Sequence, residues 1–392
     1  MTRRPMFTLF YLATFLQAGA YGLTFMLPRL FETFGANEKV VGTMLALTAV
    51  ATLLAVYYAG HLSDRLGHMR TLGLACLVIA VALVLYATAT HVGLLVVLAS
   101  MCLGAGWGLT YALSPVALTR VVPDHDRVRF FALLSVAVMA GFGLSPVLAA
   151  LFETAGLSLS DAFHVTALLC ALAGLMFFAL TPAIRAHTLG EVQQATARLS
   201  PGAVASILKS PARLPVIMVC IGASVFAGMN NFQTVFADER GLDYADYFLA
   251  YTATVVVFRL VLARFKGGDT PYLTIAALQY LMCAAVALFL FVETLPLYLL
   301  TAFLFGIGYG VSYPILAAMA ANDADKTLVP QTLQLFAFTY FIGIFGFPLV
   351  AGWMIVEMGA SALLVLLTAL AFLEATMALR RAFKCRAVAL QS

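Results

Sequence analysis

Long apolar runs alternate with short polar segments along the whole chain. Twelve windows of about 20 residues carry almost no charge, and a helix of that length can cross the hydrocarbon core of a bilayer. They are predicted near 7–28, 40–60, 71–90, 94–118, 130–152, 162–182, 214–237, 245–264, 271–292, 296–320, 329–353 and 360–379. A longer polar stretch follows the sixth window. The pattern therefore predicts an all-α integral membrane protein with two six-helix bundles, 1–182 and 214–392, joined by a cytoplasmic linker at 183–213.

Composition supports the membrane assignment. The chain is 63% apolar and 10% charged, with a mean hydropathy of +1.00, whereas soluble domains are about 25% charged. One globular core cannot bury that much apolar surface, so it must face lipid. The first apolar run extends to Met26 without a small-residue cleavage site, which favours a spanning helix over a signal peptide. The six cysteines form no close pair, so we expect reduced packing residues and neither a disulfide frame nor a metal site.

The basic residues lie almost entirely on one side of the predicted spans. If the N-terminus is cytoplasmic, all but three of the 22 lysines and arginines fall on the cytoplasmic side, the exceptions being Arg29, Lys39 and Arg240. Cytoplasmic loops are the ones that concentrate Lys and Arg. We therefore predict a multi-pass protein of the bacterial inner membrane with both termini in the cytoplasm. The net charge of +4 fits this topology and gives no reason to expect a nucleic-acid partner.

The two halves share an internal repeat. The segment GAGWGLTYALSP at 104–115 matches GIGYGVSYPILA at 306–317, and Gly141 matches Gly343 at the same offset of 202 residues. The register holds without gaps across both segments. Paired six-helix units around a central path are typical of transporters that move one half against the other.

The polar segment GHLSDRLGHMR at 60–70, between predicted helices two and three, resembles the G-x-L-x-D-R-x-G-x-x-[RK] loop of major facilitator superfamily transporters. The resemblance covers essentially the whole chain, because the twelve spans, the repeat and the linker also match. It implies the superfamily fold, with two pseudo-symmetric six-helix bundles around a central cavity. It also implies that the loop is a latch between the halves that favours the outward-open state. The latch residues are Gly60, Asp64, Arg65, Gly67 and Arg70.

The chemistry of this loop agrees with a latch. Asp64 can accept hydrogen bonds from the N-terminus of a neighbouring helix, where the helix dipole favours a negative charge, and predicted helix eleven is the candidate. Arg65 and Arg70 can pair with Asp124 and Asp126 in another cytoplasmic loop. The alternative is a loop that only anchors the topology, but an aspartate has no use in that role.

Aromatic and amide side chains recur at helical spacing on predicted helices one, four, seven and ten, and the i, i+3 spacing of Asn230 and Gln233 predicts that they share a face of helix seven. In the superfamily, these four helices line the central cavity. A cavity of this kind would hold a neutral or amphipathic organic molecule by stacking and a few hydrogen bonds. The alternative for each side chain is simple packing against the adjacent glycines. The predicted cavity residues are Gln17, Tyr21, Trp107, Tyr111, Asn230, Gln233, Tyr309 and Tyr313.

Two charged residues are predicted inside spans, where charge is expensive. Glu374 in helix twelve is the only acidic one, and it can either face lipid near the inner end or act in proton coupling. Arg259 is the deepest cation; a structural charge pair is favoured over contact with an anionic substrate. Ser100 stands where the superfamily often has an embedded arginine, and GFGLSPVLAA lacks the G-P and G-G pairs of the exporter signature. Both departures weaken the case for drug/proton antiport.

Segment 236–260 is also similar to the helix seven–eight region of bacterial drug and metabolite exporters. The sequence shows no nucleophile–base set or metal-ligand spacing, so an enzyme is not expected. We predict a monomeric secondary active transporter without a cofactor that moves a small organic solute by rocker-switch alternating access. Efflux by an antiporter is favoured, with a proton as the coupling ion. The alternatives are a metabolite importer or facilitator of the same fold, or a membrane sensor without flux.

Overall fold

The computed structural model describes residues 3–123, 127–188, 199–262 and 270–389. These residues form helices and no strands, and 12 of the helices are long and apolar enough to cross a membrane. This confirms the twelve predicted spans. They are α1 Arg3–Glu32, α2 Glu38–Leu66, α3 His68–Thr88, α4 Leu94–Thr119, α5 Arg127–Thr154, α6 Leu159–Ala186, α7 Arg213–Asn231, α8 Tyr244–Leu262, α9 Pro271–Phe289, α10 Leu295–Asn322, α11 Val329–Met358 and α12 Ala360–Ala389.

Three spans are irregular along their length. A 3₁₀ turn, Leu23–Met26, interrupts α1, and a π-helical turn, Ile342–Gly346, interrupts α11. The span α7 is also irregular. It ends at Asn231, and a short helix, Gln233–Asp238, continues it after Phe232. Interruptions of this kind often lie at functional sites, because they free backbone groups and change the direction of side chains.

Successive spans are antiparallel, so the bundle has two distinct ends. We call the end that holds segment 60–70 and the start of α1 the inner end, and the opposite one the outer end. A connector helix, Pro201–Lys209, precedes α7 at the inner end. Ser200 caps it by accepting a hydrogen bond from the Ala203 N–H at 3.2 Å, which satisfies one of the free donors of the first turn.

The internal repeat is also a repeat of packing contacts. A Cβ atom on Gly141 of α5 would lie 2.5 Å from the Phe15 carbonyl oxygen of α1. In the second half, a Cβ atom on Gly343 of α11 would lie 2.5 Å from the Cys220 carbonyl oxygen of α7. Only glycine allows backbones to approach so closely. The two halves are therefore built on one helix-packing scheme.

Candidate functional site

The centre of each half holds one stacked aromatic pair. Tyr21 of α1 stacks on Trp107 of α4 with ring centroids 4.6 Å apart and an interplanar angle of 18°. In the second half, Phe226 of α7 stacks on Tyr309 of α10 at 4.6 Å and 19°. The same contact is thus made twice, once in each repeat. Each pair contributes roughly 0.5–1.5 kcal/mol beyond the burial of its area, so the rings are held in fixed positions.

Two repeat-related tyrosines meet between the halves. The hydroxyl groups of Tyr111 in α4 and Tyr313 in α10 form a hydrogen bond across 202 residues of sequence. Tyr340 of α11 stacks on Tyr111 at 5.7 Å and 16°, and Phe341 contacts the same ring at 4.8 Å. Tyr111 and Tyr313 lie roughly 13 Å from the inner ends of their helices at 1.5 Å per residue. These four residues, the tyrosine cluster, bridge the halves on the inner side of the stacked pairs.

Gln17 is buried beside the first stacked pair. Its Nε2 donates a hydrogen bond to Oγ1 of Thr110 in α4 at 3.0 Å, while Trp107 occupies the preceding turn of that helix. The structure therefore brings together Gln17, Tyr21 and Trp107 as the sequence pattern predicts. Each of these side chains contacts another one, so packing within the bundle, the alternative to lining a cavity, also fits this structure.

Asn230 and Gln233 do not share a helix face. The spacing i, i+3 aligns side chains only on a continuous helix, and α7 ends between these two residues. Asn230 is fully buried, and its Nδ2 donates to the Phe226 carbonyl oxygen at 2.9 Å. This contact places Asn230 beside the second stacked pair.

Gln233 belongs to the outer part of the bundle. Its Nε2 donates to the Tyr298 hydroxyl at 2.7 Å, and Tyr298 lies in the first turn of α10. Tyr313 is 15 residues further along that helix, which is roughly 22 Å away. The eight predicted cavity residues therefore do not form one cluster.

Ion pairs join the two halves at the outer end. Arg29 of α1 pairs with Glu153 of α5 at 3.0 Å and with Asp238 of the short helix after α7 at 2.5 Å. A second pair connects Lys39 of α2 with Glu357 of α11. Each exposed pair contributes only about 0–1 kcal/mol. Two such links between the halves nevertheless define this conformation as closed on the outside.

Aromatic contacts reinforce the closed outer end. The Phe25 ring, in the 3₁₀ turn of α1, stacks on Phe248 of α8 at 5.5 Å and 7° and meets Phe226 edge-on at 6.2 Å. Tyr244 of α8 donates its hydroxyl hydrogen to Glu153 of α5 at 2.9 Å. The interrupted part of α1 therefore supplies an apolar layer below the ion pairs.

The helices α2 and α11, one from each half, approach each other closely at the outer end. A Cβ atom on Gly42 would lie 2.3 Å from the Pro348 carbonyl oxygen, and one on Gly352 would lie 2.1 Å from the Glu38 carbonyl oxygen. Real Cβ atoms essentially never lie that close to backbone. This contact, the α2–α11 seam, requires glycine on both helices.

The sequence matches the family model described as Major Facilitator Superfamily over residues 9–348. The chain belongs to the major facilitator superfamily. A comparison with curated protein sequences gave no match.

Two solved structures of superfamily-type transporters have a similar fold. The human organic anion transporter MFSD10 (TETRAN) is 18% identical, with a TM-score of 0.72 over 96% of this chain and 100% of that one. The nucleoside transporter NupG is 16% identical, with a TM-score of 0.74 over 96% of this chain and 99% of that one. Both likenesses agree with the all-helical architecture.

The superfamily loop at 60–70 is not engaged with α11 in this conformation. Gly67 ends α2 at φ +86°, a left-handed conformation that favours glycine. Asp64 is exposed and makes no hydrogen bond or ion pair with the residues that the structure describes. The first turn of α11 has no side-chain cap. The predicted Asp64 contact is therefore absent from a structure that is closed on the outside.

The two arginines of the loop likewise do not form the predicted latch contacts among the described residues. Arg65 and Arg70 are exposed at the inner end, and Gly60 is half-buried. Their expected partners, Asp124 and Asp126, lie outside the described residues.

Glu374 lies inside the second bundle, so the lipid-facing alternative is wrong. Its side chain is 0% exposed, and Oε1 accepts a hydrogen bond from Nε2 of Gln279 in α9 at 2.9 Å. Gly222 of α7 leaves the room for this carboxyl, because a Cβ atom there would lie 2.9 Å from Oε2. Its neighbours therefore come from spans α7 and α9 and not from lipid.

Arg259 lies between the halves. It is 5% exposed, and its Nε donates to the Gly310 carbonyl oxygen of α10 at 2.9 Å. Its Nη1 donates to the Ser135 hydroxyl of α5, in the opposite half. Within the described ranges no ion pair joins Arg259 to Glu374.

The sequence interpretation missed Phe226, Tyr340 and Ser135. The signal for Phe226 was the repeat itself, since Phe226 is the counterpart of Tyr21 at an offset of 205 rather than 202. A search that allowed a three-residue shift for the first helix of each half would have found it. Nothing in the local sequence distinguishes Tyr340 or Ser135 from other residues of apolar spans.

Proposed function

We propose that this protein is a secondary active transporter that moves a small organic solute across the bacterial inner membrane by rocker-switch alternating access. The supporting observation is the set of contacts between the halves, and we call the interface that contains them the central route. Ion pairs close it at the outer end, repeat-related aromatic pairs lie at its centre, and the tyrosine cluster bridges the halves further in. Alternating access needs contacts between the halves at two depths that can break in turn. The inner end is cytoplasmic in this proposal, and the protein acts as a monomer.

The lining residues favour a solute with an aromatic or apolar body. Tyr21, Trp107 and Tyr309 offer ring faces once the halves separate, and Gln17 and Asn230 offer amide groups beside them. Aromatic rings contribute contact area, and a few polar groups fix the orientation of a ligand. The two structural neighbours are named for organic anions and nucleosides, which are also small organic solutes.

We further propose export by proton antiport. The support for export is the resemblance of 236–260 to exporters. Glu374 is the candidate proton carrier, because it is the one carboxyl within the described spans that is fully buried and functional carboxyls of transporters are found in such positions. Import of a metabolite by the same fold is the alternative.

A ligand screen followed by a flux measurement tests the proposed function. A ligand that binds the folded protein at 100 times its Kd stabilises it by about 2.7 kcal/mol, so a thermal-shift screen of drugs and metabolites identifies candidates. The best candidate is then assayed for counterflow in proteoliposomes. Saturable exchange that depends on Trp107 supports the proposal, and binding without exchange in any candidate favours a sensor.

A further inference from the structure

Arg259 is a buried cation whose contacts within the described part of the chain are all neutral. Its hydrogen-bond partners are the Gly310 carbonyl oxygen and the Ser135 hydroxyl. No Asp or Glu of the described residues forms an ion pair with it. Burying a cation without a counter-charge is strongly unfavourable, so a missing anion is expected beside Arg259.

The hydrogen-bonding capacity of Arg259 is also incompletely used. A guanidinium group carries five N–H donors in a planar fork, and the two hydrogen bonds in the structure occupy one on Nε and one on Nη1. The remaining three have no acceptor among the described residues. A carboxylate or phosphate is the group whose geometry matches such a fork.

The packing of the helices does not require a cation at this position. A Cβ atom on Gly104 of α4 would lie 2.3 Å from the Thr48 carbonyl oxygen of α2, and one on Gly306 of α10 would lie 3.2 Å from the Tyr251 carbonyl oxygen of α8. These equivalent contacts align α2 with α8 at an offset of 203 residues. Arg259 then corresponds to Val56, which is buried. The same helix pair therefore packs with an apolar side chain in the first half.

The surroundings of Arg259 belong to the central route. The Gly310 carbonyl oxygen that accepts from Arg259 belongs to the residue after Tyr309 and lies one turn before Tyr313 in α10, and the Tyr313 hydroxyl is hydrogen-bonded to that of Tyr111. These hydroxyls are donors that can share an anionic group with the arginine, and their rings are surfaces for an attached apolar body. The cation is thus located where a transported solute would pass.

We propose that Arg259 binds the anionic group of the substrate, so that the transported solute is a small organic anion with an aromatic or apolar body. The proposal rests on the proposed transport function and narrows its substrate class. The anion would displace the Ser135 contact between the halves or share the fork with it. Substrate binding and the contact of α5 with α8 would therefore be linked.

The test uses matched probes that differ only in charge. Each pair consists of a carboxylate and its amide: benzoate with benzamide, phenylacetate with phenylacetamide, and indole-3-acetate with indole-3-acetamide. Each compound is added separately to the purified full-length protein, and its Kd is obtained from the thermal shift. At least one carboxylate should bind, and its amide should bind roughly 10-fold or more weakly, because hydrogen bonds to a charged group are the stronger ones.

Substitutions of Arg259 test whether this residue causes the preference for carboxylates over amides. Arg259→Gln should weaken carboxylate binding roughly 10- to 100-fold and leave amide binding unchanged, whereas Arg259→Lys should retain part of the carboxylate preference. Arg213→Gln, which removes an exposed cation at the start of α7, is the matched control and should behave as wild type. The carboxylate-to-amide ratio is the readout, since a purely structural role would change both affinities together.

Three results would overturn the proposal: no carboxylate binds, amides bind as well as carboxylates, or Arg259→Gln keeps the full preference. If the amides bind and Trp107→Ala abolishes their binding, the central route remains a solute site and only the anionic class is wrong. If no solute of the wider library exchanges in proteoliposomes either, the transport function is wrong as well.

Discussion

The α2–α11 seam makes a sharp prediction about the conformational equilibrium. In Gly42→Ala, the new methyl group would lie 2.3 Å from the Pro348 carbonyl oxygen and 2.9 Å from the Leu349 Cα. Ordinary van der Waals contact begins at 3.4 Å, so the helices must separate by about 1 Å. Backbone atoms cannot rotate away as a side chain can. Overpacking of this kind costs about 1–3 kcal/mol.

This cost applies only while the outer end is closed, because the seam separates when the protein opens outward. The substitution should therefore shift the ratio of outer-closed to outer-open molecules by roughly 5- to 150-fold towards the open state. Cysteines introduced at Thr154 and Glu239, both exposed at the outer end of opposite halves, carry spin labels. Double electron–electron resonance then measures the distance between the two labels. The native cysteines are replaced in this background.

A matched control separates this effect from that of an added methyl group. Gly202 lies in the connector helix with nothing within 4 Å of a Cβ atom, so Gly202→Ala should leave the distance distribution unchanged. Gly352→Ala, on the facing helix, should act like Gly42→Ala. Wild-type distance distributions in both seam variants would refute the seam as a conformational constraint.

Three other substitutions test separate parts of the structure. Arg29→Gln removes both ion pairs of that side chain and should favour the outer-open state by roughly 2- to 5-fold, a shift that the same spin-label distances measure and that 1 M salt should reproduce. Asp64→Asn should disfavour the outer-open state about 5-fold, as expected for loss of a helix cap; an unchanged ratio contradicts the latch. Glu374→Gln keeps the Gln279 contact but cannot exchange a proton, so transport should lose its response to a pH gradient, and a retained response would exclude Glu374 as the proton carrier.

The sequence predicts the spans well because bilayer thickness imposes a length and a composition on each of them. It does not predict the irregular turns. No proline or glycine lies at Phe232, where α7 is interrupted, and the interruption made the i, i+3 pairing of Asn230 with Gln233 wrong. Helical periodicity relates only residues within one continuous helix. Where tertiary packing interrupts a helix, the side chains after the interruption point in directions that the spacing does not predict.

Contacts between the halves were the least predictable part of the site. The basic residues Arg29 and Lys39 could be placed outside, but their partners in the other half, Asp238 and Glu357, are 209 and 318 residues away. The pairing of Tyr111 with Tyr313 is different, because the repeat already marks them as equivalent. Equivalent residues near a pseudo-two-fold axis can contact each other. The internal repeat was therefore the best sequence signal for contacts between the halves at the centre of the bundle.

Counterflow by the purified protein tests the central claim most directly. Proteoliposomes preloaded with the strongest ligand from the thermal-shift screen are diluted into trace labelled ligand, with Trp107→Ala as the comparison. The account predicts saturable accumulation of label in wild type and its loss in Trp107→Ala, because the central aromatic pair then lacks its larger ring. Accumulation no greater than in protein-free liposomes, for every compound that stabilises the protein, would contradict it.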